Sequence, residues 1–97
     1  MSEPIKVERL LNEVQMDGKV GLFGRVIIAP QATLDFHEHH GETETYYILS
    51  GEGVYDDNGV KSPAKPGDVF FCEDGGGHGI SCTSAEPLEF MALIIKK

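Results

Sequence analysis

The chain has 97 residues, a net charge of −8 and 40% hydrophobic residues, which fits one globular domain and excludes a second independent core. Nucleic acids and anionic membranes are bound by clustered Lys and Arg, and the eight present are scattered. No apolar run reaches the ~18 residues of a transmembrane helix, and the N-terminus is too charged for a signal peptide. We therefore expect a cytoplasmic protein with no nucleic-acid and no membrane partner.

The N-terminal segment, residues 5–16, has apolar residues at helical spacing. They are Val7, Leu10, Leu11 and Val14. This pattern predicts a short helix, with a strand as the alternative. A turn at Asp17-Gly18 follows, and residues 20–29 form a β-rich run interrupted by Arg25. We expect Arg25 on the outer face; the alternative is an inward position where it meets a carboxylate ligand.

Two histidines and a glutamate mark the next extended stretch. Alternate side chains of a strand face the same way, so His37 and His39 can reach one cation, whereas His40 falls in a loop. In the strand that follows, Glu44, Tyr46 and Ile48 share one face. Tyr46 is therefore placed to line a pocket, although packing is the commoner role of a buried aromatic residue.

Glycine-containing turns divide the second half of the chain into short strands. Asn58-Gly59 predicts a type I′ hairpin and Pro66-Gly67 a type II turn. The three glycines of residues 75–77 lack the Lys and Ser/Thr of a phosphate loop, so they predict a connection between strands that leads to His78. The apolar run 88–95 predicts a strand covered on both faces.

The two cysteines, Cys72 and Cys82, do not form a disulfide framework and are expected to be free thiols. Cys72 ends an apolar strand and is predicted to fill the core. Cys82 shares strand parity with His78, but four residues of strand span roughly 13 Å. We therefore do not expect Cys82 to bind the same ion.

Two stretches within residues 30–82 resemble the two motifs of the cupin superfamily in order and spacing. The matching positions are His37, His39, Glu44, Gly51, Gly67, Gly75 and His78. Three positions depart from the pattern, since Gln31, Glu73 and Cys82 stand where the family has Gly, Pro and Asn. None of the three is a ligand position, so the departures concern turn geometry and not metal binding.

The resemblance implies an all-β fold, a double-stranded β-helix or jelly-roll barrel. The many short strands and glycine turns independently favour a small sandwich or barrel. We expect a single cupin domain over residues 1–97, with an N-terminal arm or short helix at 1–19 and the barrel at 20–95. Small cupins are commonly dimers, so the resemblance also implies a homodimer.

The resemblance further implies a metal site made of His37, His39, Glu44 and His78. This donor set suits one divalent transition metal: Fe, Mn, Ni, Zn, Co or Cu. In an octahedral site two positions stay open for a small-molecule ligand, either an anion or a bidentate oxygen donor.

Two functions follow from this site. We favour a small metalloenzyme acting by Lewis-acid or O₂ chemistry, such as an oxygenase, decarboxylase, lyase or isomerase. Tyr46 is its one weak candidate for a catalytic residue beyond the ligands, and no basic cluster offers a phosphate clamp. The alternative is a non-catalytic protein that binds a metal or metabolite as a sensor or carrier.

Overall fold

The computed structural model describes residues 4–97, which form nine strands and one turn of helix. The elements are β1 (Ile5–Arg9), α1 (Glu13–Met16), β2 (Val20–Ile28), β3 (Thr33–Glu38), β4 (Glu42–Ser50), β5 (Gly53–Asp57), β6 (Val60–Ala64), β7 (Val69–Cys72), β8 (Gly77–Cys82) and β9 (Leu88–Lys96). The predicted all-β class is confirmed. No helix in this part of the chain is long and apolar enough to cross a membrane.

The strands form two antiparallel sheets that pack face to face as a jelly roll. The five-stranded sheet has the order β1-β2-β9-β4-β7, and the four-stranded sheet has the order β3-β8-β5-β6. The two histidine-bearing strands β3 and β8 are neighbours in the four-stranded sheet, and the glutamate-bearing strand β4 lies in the other. Side chains pointing inward from these strands therefore meet between the sheets.

The core lies between the two sheets and follows the period of two that the sequence predicts. Along β4, Tyr46 and Ile48 are buried, whereas Tyr47 and Leu49 are exposed. Phe90 from β9 and Ile80 from β8 complete the contact between the sheets. Cys82 belongs to this core, and Cys72 is also buried; both are free thiols, as expected.

The N-terminal segment differs from the helix predicted over residues 5–16. β1 pairs with β2, from Ile5 opposite Ile28 to Arg9 opposite Gly24, and the helix is limited to α1, where Asn12 forms a capping box with Gln15. The apolar residues of a helix would find no surface to pack against here, since Val14 is 87% exposed. Hydrogen bonding to the free edge of β2 determines the conformation instead.

The turns have the predicted geometry. Asn58 and Gly59 both have positive φ, 50° and 94°, as a type I′ hairpin requires. Gly51 has a φ of 76°, and a Cβ there would overlap the carbonyl oxygen of Pro87. Gln31 has a φ of 69°, so it keeps the left-handed turn for which the cupin pattern has glycine.

Candidate metal centre

Three strands and one turn position the four predicted ligands. His37 of β3 lies directly opposite His78 of β8, and Glu44 points inward from β4. His39 follows the end of β3 and is held by the connection between β7 and β8. Its N–H donates to the carbonyl of Gly76 at 2.9 Å, and its carbonyl accepts from the N–H of Gly75 at 2.8 Å. The glycine-rich connection thus fixes His39.

The structure brings the four side chains together, with ligand atoms all within 4.8 Å of one another. The Oε1 of Glu44 lies 2.9 Å from the Nε2 of His39 and 2.9 Å from the Nε2 of His78. These two nitrogens are 3.0 Å apart. The Nε2 of His37 lies 3.9 Å from the same carboxylate oxygen. One carboxylate oxygen therefore faces three imidazole nitrogens.

The other ring nitrogen of each histidine, Nδ1, has a partner outside the cluster. His37 Nδ1–H donates to the carbonyl of Asp35 at 2.8 Å, and His39 Nδ1–H donates to the carboxylate of Glu42 at 2.6 Å. His78 Nδ1 lies 2.8 Å from the hydroxyl of Tyr55, which can accept from this nitrogen or donate to it. With Nδ1 protonated, the Nε2 lone pairs of His37 and His39 point into the cluster, and the same tautomer of His78, with Tyr55 as acceptor, is the one that metal ligation requires.

These distances fit a metal ion. Donor atoms about 2.1 Å from an ion lie about 3.0 Å apart when adjacent and about 4.2 Å apart when opposite. The observed separations among the Nε2 atoms and the Glu44 oxygen, 2.9, 3.0 and 3.9 Å, are close to these two distances. Without an ion, the Nε2 of His78 can donate to the carboxylate of Glu44 at 2.9 Å. When all three Nε2 atoms are unprotonated, as for ligation, they and the carboxylate oxygen repel each other, and a cation between them removes that repulsion. The four residues could therefore hold a metal ion.

The cluster is buried on one side and accessible on the other. The side chains of His78 and Glu44 are 1% and 5% exposed, whereas that of His37 is 36% exposed. His39 is buried as well, at 7%. A small molecule can therefore approach from the side of His37.

Two buried tyrosines border the cluster on its inner side. The ring of Tyr46 stacks on that of His78 with centroids 4.8 Å apart, and its hydroxyl lies 3.4 Å from His78 Nε2. Burial, and then the nearby carboxylate of Glu44, raises the pKa of Tyr46 far above its usual value. Burial also raises the pKa of Tyr55. Both phenols therefore keep their protons at neutral pH.

Three residues singled out in the sequence lie outside the cluster, as expected. His40 is exposed and pairs with Glu38 at 3.1 Å. Arg25 forms an ion pair with Glu89 on the outer face of the five-stranded sheet. Cys82 is packed in the core, with its Sγ 3.3 Å from the carbonyl oxygen of Glu86.

Sequence reasoning missed the two side chains that orient the histidines, Glu42 and Tyr55. Glu42 had a usable signal, because it lies three residues after His39, at the start of β4. Tyr55 had none. Its contact with His78 exists because β5 and β8 are neighbours in the sheet, with Tyr55 opposite Ile80.

Two packed antiparallel sheets that enclose three histidines and one glutamate define a jelly-roll protein with a candidate metal site. The family comparison agrees. The chain belongs to the cupin domain family Cupin_2, whose pattern matches residues 24–94.

The chain is similar to a protein and to a crystal structure from one bacterium, and it shares its fold with a more distant structure. The chain is 44% identical over 91 residues to the oxalate-binding protein of Thermotoga maritima, covering 94% of this chain and 75% of that protein. It is similar to a crystal structure described as a predicted oxalate decarboxylase from Thermotoga maritima, with 43% identity, a TM-score of 0.93 and coverage of 96% and 81%. The cupin domain of Schizosaccharomyces pombe Cnp3 shares the fold, with a TM-score of 0.88, 17% identity and coverage of 99% and 67%.

Proposed function

We propose that this protein binds one divalent transition metal through His37, His39, Glu44 and His78, and uses the ion to bind a small anion of the oxalate type. The observation that carries the proposal is the orientation of the three imidazoles. Each Nδ1 is engaged outside the cluster, so that each Nε2 faces Glu44. The name of the similar Thermotoga maritima protein supports oxalate as the representative ligand.

The local positive charge of a bound metal explains why a small dianion would bind to an acidic protein. The chain has a net charge of −8, which repels anions at long range. A divalent ion beside the single carboxylate of Glu44 leaves a local charge near +1, and four protein ligands leave two positions open in an octahedral site. Two carboxylate oxygens of one ligand match those positions. Anion binding is thus expected to depend strictly on the metal.

Tyr46 is proposed as a hydrogen-bond donor to the bound anion. Its hydroxyl lies 3.4 Å from the Nε2 of His78, beside the ligand atoms. Its raised pKa keeps the proton on the phenol. It is therefore suited to donating a hydrogen bond and poorly suited to acting as a general base at neutral pH.

The second candidate function is a metal-dependent enzyme, with decarboxylation of the anion as its simplest reaction. The description of the similar crystal structure as a predicted oxalate decarboxylase favours this reaction over oxygenase, lyase or isomerase chemistry. The exposure of His37 gives the required access. In that reaction the bound metal supplies Lewis-acid stabilisation of the carboxylate, and Tyr46 holds the proton nearest to the ligand.

Metal content and calorimetry test the first candidate together. Elemental analysis after dialysis against metal-free buffer should find about one equivalent of a transition metal in wild type and little in the His37→Ala, His39→Ala double variant. Oxalate should then bind to the metal-loaded wild type, and acetate, with one carboxylate, much more weakly. Oxalate binding of equal strength to the metal-free protein would contradict the proposal. Formate and CO₂ released from oxalate would establish the enzymatic candidate instead of simple binding.

A homodimer is also proposed, through the outer face of the five-stranded sheet. Four of its side chains are apolar and exposed by 39 to 62%: Tyr47, Leu49, Val69 and Phe71. Tyr47 and Val69 are direct neighbours across β4 and β7. An exposed cluster of this kind is typical of an interface between proteins.

Sedimentation analysis of two matched variants tests the homodimer. Phe71→Glu places a charge in the exposed apolar cluster and should give a monomer. Val60→Glu, at a residue that is 72% exposed on the four-stranded sheet, should leave the dimer unchanged. A monomeric wild type would overturn the proposal.

A cytoplasmic location is proposed on the basis of the thiols. Cys72 and Cys82 are both free, as is usual in a reducing compartment. Cell fractionation with an antibody to the native protein tests this location.

A further inference from the structure

The outer face of the four-stranded sheet has an open trough of about 350 Å³, separate from the metal centre. Its floor is formed by β8, whose side chains alternate between the two faces of the sheet. His78 and Ile80 are buried in the core, whereas Gly79 and Ser81 occupy the alternate positions and line the trough. The two sites thus lie on opposite faces of one strand.

Glycines and a bulge explain why this face is concave. The register between β3 and β8 shifts between Leu34 and His37, which places Phe36 over the glycines of β8. A Cβ on Gly79 would lie 3.0 Å from the backbone nitrogen of Phe36, and one on Gly77 would overlap the Phe36 ring. Glycine at position 77 lets the ring lie against the sheet while remaining 50% exposed, and glycine at position 79 lets the backbone of Phe36 approach β8. The ring forms one wall of the trough.

Polar groups of both signs line the rest of the trough. The hydroxyls of Thr33 and Ser81 lie 3.0 Å apart. On the opposite wall, Asp56 and Lys61 are direct partners across β5 and β6. One oxygen of Asp56 accepts from the N–H of Gly59 at 2.8 Å, which leaves its second oxygen available. The trough therefore combines an aromatic ring with hydroxyls, one acceptor carboxylate and one donor ammonium.

We propose that this trough binds a neutral, polyhydroxylated molecule of the sugar type. A sugar ring presents C–H groups that pack on the negative face of an aromatic ring, and hydroxyls that both donate and accept hydrogen bonds. The paired Asp56 and Lys61 give no net charge, and the net charge of −8 disfavours an anion. The single aromatic ring does not form the cage that a quaternary cation requires. The trough volume is within the range of small-molecule sites.

The test is amide NMR of the full chain loaded with Zn²⁺, titrated with methyl glycosides of several hexoses. We expect saturable shifts at Thr33, Asp56, Gly79 and Ser81, with an affinity of about 1 mM. Ser81→Leu should abolish these shifts, because the larger side chain fills the floor of the trough. Lys61→Met should weaken binding about tenfold through the loss of a charged hydrogen-bond donor.

Lys6→Met is the matched control, because Lys6 is exposed on β1 of the other sheet. It should bind the glycosides as wild type does. Absence of shifts with every glycoside at about 50 mM, well above the expected dissociation constant, would overturn the proposal. Shifts centred on His37 and Glu44, or equal binding to Ser81→Leu, would overturn it as well, because either result places the glycoside outside the trough.

Discussion

The inner and outer parts of the candidate metal site, the cluster of His37, His39, Glu44 and His78, are built in different ways. On the inner side, His39, Glu44 and His78 are buried, and the side chain of His78 is 1% exposed. On the outer side, the side chain of His37 is 36% exposed. The partners differ too. The Nδ1 of His78 is hydrogen-bonded to the buried phenol of Tyr55, whereas that of His37 donates to a backbone carbonyl.

This difference separates two tasks. The inner ligands belong to the packed core, so their geometry is fixed by the same contacts that stabilise the fold. The side chain of His37 is partly exposed, and the opening beside it is the route that we propose for the metal and the anion. The inner part is therefore expected to couple metal binding to stability, and the outer part to control binding alone.

Alanine at the two histidines should give the largest contrast. In metal-free protein, His78→Ala should lower the free energy of unfolding by about 2–4 kcal/mol, because it leaves a cavity and unpaired polar groups at Tyr55 and Glu44. His37→Ala should cost less than about 1 kcal/mol because its side chain is partly exposed. Both variants should bind zinc much more weakly. Urea unfolding with and without metal measures the two effects, and equal destabilisation of the metal-free variants would refute the distinction.

Removal of the hydroxyl from Tyr55 tests the inner part more gently. Tyr55→Phe should weaken metal binding about 10- to 100-fold, the usual effect of losing a partner that orients a ligand. Glu42→Gln keeps an acceptor for His39 Nδ1 and should have a smaller effect. Competition with a chelator measures both affinities. Tyr47→Phe, on the outer face, is the control and should match wild type; a similar loss in Tyr47→Phe would remove the special role of Tyr55.

The sequence predicted which four side chains come together better than it predicted their surroundings. Alternation along a strand is a local property, so the inward face of Glu44, Tyr46 and Ile48 and the joint direction of His37 and His39 followed from spacing alone. The meeting of His78 with them depended on the resemblance to cupins, because 34 residues separate it from Glu44. The role of Tyr55 was out of reach, since it depends on which strand lies beside β8.

The N-terminal segment shows the opposite case, in which a local pattern was misleading. The apolar residues of segment 5–16 have helical spacing, but such spacing stabilises a helix only where the rest of the fold offers a surface on which the apolar face can pack. Val7 is 43% exposed and Leu10 53%, so no such surface is present. Backbone hydrogen bonds to β2, a long-range partner, determined the strand.

High pH should reveal the buried phenol on the inner side. Folding raises the pKa of Tyr46. The contribution of this phenol to the free energy of unfolding is therefore complete at pH values below the pKa of tyrosine in the unfolded chain, about 10, and decreases as the pH rises above it. The loss approaches about 1.4 kcal/mol per pH unit while folded Tyr46 keeps its proton. Urea unfolding at pH values from about 8 to about 11, on both sides of the pKa of tyrosine in the unfolded chain, measures this loss of stability. Tyr46→Phe should show a shallower loss; an unchanged slope would contradict burial as the cause.

The smallest effect is expected at Gln31, outside both parts of the cluster. Its φ of 69° is a conformation that glycine adopts without strain. Gln31→Gly should therefore relieve about 1 kcal/mol of backbone strain, partly offset by the greater freedom of glycine in the unfolded chain. The Gln31 N–H bond to the carbonyl of Cys82, 3.1 Å long, is retained.

Thermal unfolding measures this change, with Gln31→Ala as the control because alanine has the same restriction at positive φ. We expect Gln31→Gly to be more stable than Gln31→Ala, and both to bind metal as wild type does. Since the side-chain amide of Gln31 also donates to the carbonyl of Thr83 at 3.4 Å, a less stable glycine variant would show that this contact outweighs the strain. Position 31 would then depart from the cupin pattern because the side chain itself stabilises the turn.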